Sequence, residues 1–197
     1  MLKFFKLILC CFIPLLVLFA CGSEDYTPKE RTYFRITLPE RSYQTFDTTF
    51  PYSFEYPKYA KIFRDERSNA DKYWINIEYP MFNATIHISY KTVDNNLGKY
   101  FEDSRNFANK QMTKATGIKE KTFYDQPNHI YGLVYDIKGT NVASPYQFIV
   151  TDSATNFLRG ALYFDLVPNN DSLAPVIDFI KQDVDHLIST FRWKKVK

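Results

Sequence analysis

The chain is poor in cysteine, in glycine and in charge of one sign, and each shortage narrows what it can be. Three of its 197 residues are cysteines, at positions 10, 11 and 21. Everything after Cys21 therefore lacks thiols for disulfides or for zinc and iron–sulfur sites, and a domain built there must be held by its core alone. Glycine occurs only 6 times, and no Gly-rich phosphate loop, GxSxG elbow, His-Glu-x-x-His pair or EF-hand loop is present. The 25 basic groups include Lys3 and Lys6, and the other 23 face 22 acidic groups. That near balance argues against nucleic acid as a partner.

Aromatics are plentiful. They make up 18% of the chain, with 18 Phe and 15 Tyr, beside 45% apolar and 24% charged residues. The mixture suits one folded, β-rich domain rather than a disordered chain or a helical bundle.

The first 20 residues differ from the rest. Lys3 and Lys6 precede an apolar run, residues 7–20, broken only by Pro14. The run is short for a membrane span and reads as an export signal. It ends Leu18-Phe19-Ala20-Cys21, which resembles a bacterial lipobox. Cleavage before Cys21 would leave a lipid-bearing cysteine as the first mature residue, and several acyl chains on one cysteine give stable membrane attachment. Gly22, in place of the Asp that retains some lipoproteins at the inner membrane, favours the periplasmic side of the outer membrane. The expected organisation is a signal at 1–20, an anchor and polar tether at 21–31, and a single domain at 32–197.

Period-two patterns predict strands at 32–38, 52–56, 60–64, 74–79 and 82–91, the last two forming a hairpin. In the fifth, Phe82, Ala84, Ile86, Ile88 and Tyr90 share one face, and Asn83, Thr85, His87 and Ser89 the other. A helix is predicted from Leu97 to Ala115, capped by residues 94–96 and stopped at Gly117, with Leu97, Tyr100, Phe101, Phe107 or Ala108, Met112 and Ala115 as its buried stripe. Strands at 118–124, 130–138, 146–152 and 157–167 follow. A helix near 173–191, capped by Asp171 or Ser172, precedes a short tail. This order predicts an α+β fold, a mostly antiparallel sheet with two main helices packed on it, and by fold-level analogy a PsbP/Mog1-type sandwich.

No catalytic constellation emerges. The three histidines, His87, His129 and His186, are far apart and read as isolated surface residues, so no metal or cofactor site is expected. Ser153 and Asp152 lie at a predicted hairpin turn, where side-chain to backbone hydrogen bonds are the ordinary role. Asn169, Asn170 and Asp171 offer oxygen atoms, and helix capping accounts for them. Arg159, Tyr163 and Asp165 share one strand face opposite Leu158, Leu162 and Phe164. With Tyr33, Arg35 and Asp152 they form the candidate partner-binding set, because Tyr and Arg are enriched at interface anchors.

Several stretches resemble the gliding-motility lipoprotein GldD family of Bacteroidota: residues 28–39 (PKERTYFRITLP), 83–91 (NATIHISYK), 147–153 (QFIVTDS), 157–164 (FLRGALYF) and 168–173 (PNNDSL). The family often has Pro-Arg-Gly where this chain has Glu30-Arg31-Thr32. The resemblance implies a non-enzymatic role in gliding motility and the linked type IX secretion system, through assembling or stabilising other components. The alternative is an envelope lipoprotein that carries a small molecule or lipid in an aromatic-lined cavity.

Overall fold

Ten strands and two long helices follow one another in residues 36–195, the part of the chain that the computed structural model describes. Strands β1 (Tyr43–Phe46), β2 (Tyr52–Pro57), β3 (Lys61–Arg64) and β4 (Ile75–Tyr79) lead through a short 3-10 turn, Pro80–Phe82, to β5 (Ala84–Thr92). Helix α1 (Leu97–Asn109) comes next. Strands β6 (Gly117–Asp125), β7 (Ile130–Lys138), β8 (Tyr146–Thr151) and β9 (Asn156–Phe164) precede helix α2 (Asn170–Thr190) and the two-residue β10 (Arg192–Trp193). The fold is α+β, as the pattern predicts.

All strand pairings are antiparallel. Seven strands form the main sheet in the order β3-β4-β5-β9-β8-β7-β6, and three form a smaller one, β1-β2-β10. Alternation gives the main sheet two unlike faces. Ile75, Ile77, Ile86, Ile88, Phe148, Val150, Leu158 and Leu162 point to one face. There they pack with Tyr52 and Phe54 of the small sheet and Val176, Phe179, Ile180, Val184 and Leu187 of α2. Each such side chain removed from water contributes about 1.5–3 kcal/mol. On the other face α1 lies over β7, β8 and β9. It sets Leu97, Tyr100 and Phe101 against Ile149 and Phe157, and Ala108 against Tyr135 and Ile137.

Two glycines of the main sheet lie under aromatic rings, Gly160 on the central strand β9 and Gly132 on β7 beside the β6 edge. Gly160 pairs directly with Phe148, and a Cβ on it would meet that ring at 2.2 Å. Gly132 pairs with Phe123, whose ring would come within 2.1 Å in the same way.

Several expectations require correction. Residues 36–38 are irregular rather than strand; the rest of the stretch 32–38, with Tyr33 and Arg35, lies outside the described residues, as does Cys21. The first described strand is β1, and the expected tail contains β10. Helix α1 ends at Asn109, because successive i to i+3 bonds (Gln111 N to Ala108 O, Met112 N to Asn109 O, Lys114 N to Gln111 O) tighten the chain into turns. Gly117 therefore begins β6, and Met112 is exposed. The Asn96 side chain makes no cap bond; its oxygen accepts from Asp94 N. Helix α2 starts at Asn170, ahead of Asp171, which accepts from Thr140 Oγ1 at 2.9 Å. Strand β9 stops at Phe164, leaving Leu166 and Val167 exposed beyond it.

The N-terminal approach to β1 is fastened to α2. Asp183 is fully buried and accepts from Tyr59 Oη at 2.7 Å and Tyr43 Oη at 3.1 Å, with Arg41 Nε 3.5 Å away. The Arg41 guanidinium lies over the Phe179 ring at 4.1 Å. Burial raises the Asp183 carboxyl above its ordinary value, against the opposing pull of those donors. The Tyr43 ring stacks on His186 at 3.6 Å, and His186 Nε2 meets Glu55 Oε2 at 2.7 Å.

Candidate binding cleft

Helix α1 covers only half of its face of the main sheet. On the uncovered half, alternation places Thr85, His87, Ser89 and Lys91 of β5 beside Arg159, Ala161 and Tyr163 of β9. The register pairs Ser89 with Arg159 and His87 with Ala161. The small Ala161 leaves open space there. The β3–β4 connection rises along one side with Arg67, Asn69 and Trp74, and α1 supplies Tyr100, Asp103, Ser104 and Phe107 on the other. Between them is a cleft of about 660 Å³.

Its walls are held in place. Trp74 Nε1 donates to Tyr90 O at 2.9 Å, and the Lys91 ammonium lies 5.1 Å from the Trp74 ring centre. Ser104 Oγ donates back to Tyr100 O at 2.8 Å. Two of the three cations have carboxylates of their own. Arg67 Nε donates to Asp65 Oδ1 at 2.9 Å, which holds that carboxyl below its ordinary range, and Lys91 pairs with Asp71.

Arg159 is different. Its Nη2 donates to Gln147 Oε1 at 2.7 Å, and its guanidinium carbon lies 4.6 Å from the centre of the Phe107 ring. No carboxylate comes within ion-pair distance of it among the described residues; Asp165, which shares its face in the sequence pattern, is exposed beyond the end of β9. Burial lowers the Arg159 value, with Tyr163 and Tyr135 opposing. The Gln147 oxygen is fixed toward the guanidinium, so its Nε2, fully buried, is left without a hydrogen-bond partner among the described residues.

His87 is half-buried, not the surface histidine expected. The β3–β4 connection and Tyr163, with ring centres 5.6 Å apart, shield it. Its Nδ1 lies 2.7 Å from Asn76 Oδ1; assigned as the donor, it leaves Nε2 as an acceptor. Burial, then Arg67, push the imidazole below its ordinary value, so it is neutral at pH 7.

The structure thus brings together Arg159 and Tyr163 of the candidate set. Asp152 stands apart at the β8–β9 turn, accepting from the backbone N–H of Ala154, Thr155 and Asn156 at 2.8–2.9 Å and from the Thr155 and Asn156 side chains. Burial would raise its carboxyl, but these bonds outweigh it and hold it at about 2. Ser153 at the same turn has φ 66° and donates its N–H to Thr151 Oγ1. Asn170 Nδ2 donates to Gly139 O and Val142 O, tying α2 to the β7–β8 loop. Trp74, Arg67 and Gln147 were not singled out as site residues by sequence reasoning, and Phe107 was placed only as an alternative to Ala108 in the buried stripe, whereas it is exposed. The one signal available was the Ser-x-Lys continuation of the polar face beyond His87, which pairs with Arg159 only once the register is known.

A family profile described as gliding motility lipoprotein GldD matches residues 23–193. The chain belongs to the GldD family. It is accordingly a lipid-anchored envelope protein with a role in gliding motility. No curated protein matches the chain. Among solved structures it is similar to the solution structure of cyanobacterial PsbP (CyanoP) from Synechocystis sp. PCC 6803, at 11% identity and a TM-score of 0.49, over 85% of this chain and 99% of that one.

Proposed function

We propose that the protein is a non-enzymatic assembly or stabilising component of the gliding apparatus and of the linked type IX secretion system. In this reading residues 1–20 are removed and Cys21 carries the lipid. Residues 21–31 form the tether, and the domain at 32–197 stands on the periplasmic side of the outer membrane. The membership of residues 23–193 in the GldD family carries the reading. Other gliding or secretion proteins would dock through Tyr33, Arg35, Asp152, Arg159, Tyr163 and Asp165. The test is a deletion strain complemented with the native gene or with Cys21→Ala, scored for colony spreading and for secreted protein. Loss of both traits, restored only by the native gene and accompanied by co-purification of motor or secretion components, is the expected result. Normal spreading and secretion in the deletion strain would refute it.

The cleft favours a second reading, that of a small-molecule carrier. Its volume of about 660 Å³ lies within the range of ligand pockets, roughly 300–1,000 Å³.

A further inference from the structure

We propose that the cleft between α1 and the open half of the main sheet binds a small organic monoanion, a carboxylate on an aromatic or short apolar body, with the carboxylate on Arg159. The inference rests on the carrier reading and names its ligand class.

Three observations carry it. The first is charge. Arg67 and Lys91 are matched by Asp65 and Asp71, so the lining presents one cation without a carboxylate, Arg159. Asp103 stands on the α1 wall. A single uncompensated guanidinium facing a wall with an acid suits a monoanion and disfavours a phosphate dianion or a polyanion.

The second is orientation. A guanidinium free to turn would point to water. This one is held by Gln147 Oε1 on one side and by the face of Phe107 on the other. Nη2 donates to Gln147 and the Tyr163 hydroxyl also engages the guanidinium; the N–H groups left over form a planar edge suited to a carboxylate.

The third is the rest of the wall. Trp74, Tyr100, Phe107, Phe157 and Tyr163 surround the polar centre, and neutral His87 adds an acceptor without adding charge. An aromatic or short aliphatic body would be sandwiched there, and a fully polar anion would leave those rings unused.

The test uses the full-length lipidated protein in lipid nanodiscs. Phenylacetate, its neutral analogue phenylacetamide and phenyl phosphate are titrated while tryptophan fluorescence and the melting temperature are recorded. Trp74 lines the cleft and serves as the reporter, with Trp74→Phe as its control. Phenylacetate is expected to bind saturably and to raise the melting temperature. Phenylacetamide and Arg159→Met are each expected to weaken binding by roughly tenfold or more, and Arg159→Lys by less, because it keeps the charge and loses the fork. If phenylacetamide binds as well as phenylacetate, or Arg159→Met leaves the affinity unchanged, the cleft is a carrier site without anion selection, and the inference fails while the carrier reading stands. Preferred binding of phenyl phosphate also overturns the inference. If none of the three probes binds and no lipid co-purifies with the protein, both fail.

Discussion

Arg159 lies with its guanidinium carbon 4.6 Å from the centre of the Phe107 ring, joining a central strand of the main sheet to the exposed side of α1. The contact is favourable, and it leaves a half-buried positive charge without a carboxylate. Such an arrangement costs stability.

Replacing that charge together with its amide partner should therefore make the protein more stable. The double variant Arg159→Met/Gln147→Leu keeps volume and removes both desolvated polar groups, with an expected gain of about 1 kcal/mol. Arg159→Met alone strands the Gln147 amide and is expected to cost about 1 kcal/mol. Urea unfolding midpoints with unchanged m-values check both; a double variant less stable than the single one would contradict the account.

Gly160 is irreplaceable for a different reason. The Phe148 ring occupies the space where a Cβ would go, 2.2 Å away. Gly160→Ala should displace the ring and cost about 1–3 kcal/mol, the usual penalty of overpacking a filled core. The double variant Gly160→Ala/Phe148→Leu should recover part of this loss, and thermal unfolding of the pair decides the point.

Tyr59→Phe should have a pH-dependent cost. The Tyr59 hydroxyl donates to Asp183, whose carboxyl is raised by burial. A raised carboxyl contributes stability that is full below its unfolded value and is lost as pH rises through its folded value. Removing a donor that favours the ionised form raises the folded value further and steepens that loss. The variant should lose about 1.5–3 kcal/mol near pH 7 and about 1 kcal/mol near pH 4. Equal losses at both pH values, measured by urea unfolding, would show that Asp183 is not ionised in the folded protein at pH 7.

Asp152 gives the opposite slope. Its carboxyl is lowered from 3.8 to about 2, so its contribution is present above its unfolded value and is lost as pH falls through its folded one. Asp152→Asn should flatten the stability profile between about pH 4 and pH 2 and lower stability at pH 7. Unfolding curves of the two proteins across that range are the check.

The alternation in β5 and β9 was legible because each strand runs for 9 residues with one face in the core. The last helix was legible for the same reason, except at Asp183, whose burial depends on tyrosines more than 120 residues away. Strands β1 and β10 were not legible. They span 4 and 2 residues, too few for a periodic signal, and exist because β2 offers both its edges. The cleft was half legible: Arg159 and Tyr163 follow from strand parity. Trp74 and Phe107 join them only because α1 stops short of β5, and that boundary is set by packing rather than by any local pattern.

The small sheet also fixes when the protein can finish folding. Trp193 pairs with Tyr52, and Phe191 is buried between the rings of Tyr52, Phe54 and Trp193. A contact between residues 52–54 and 191–193 is of high sequence separation and cannot form until both segments are available. A truncation that removes Phe191 would therefore leave the rings of Tyr52 and Phe54 without the side chain that closes the core over them.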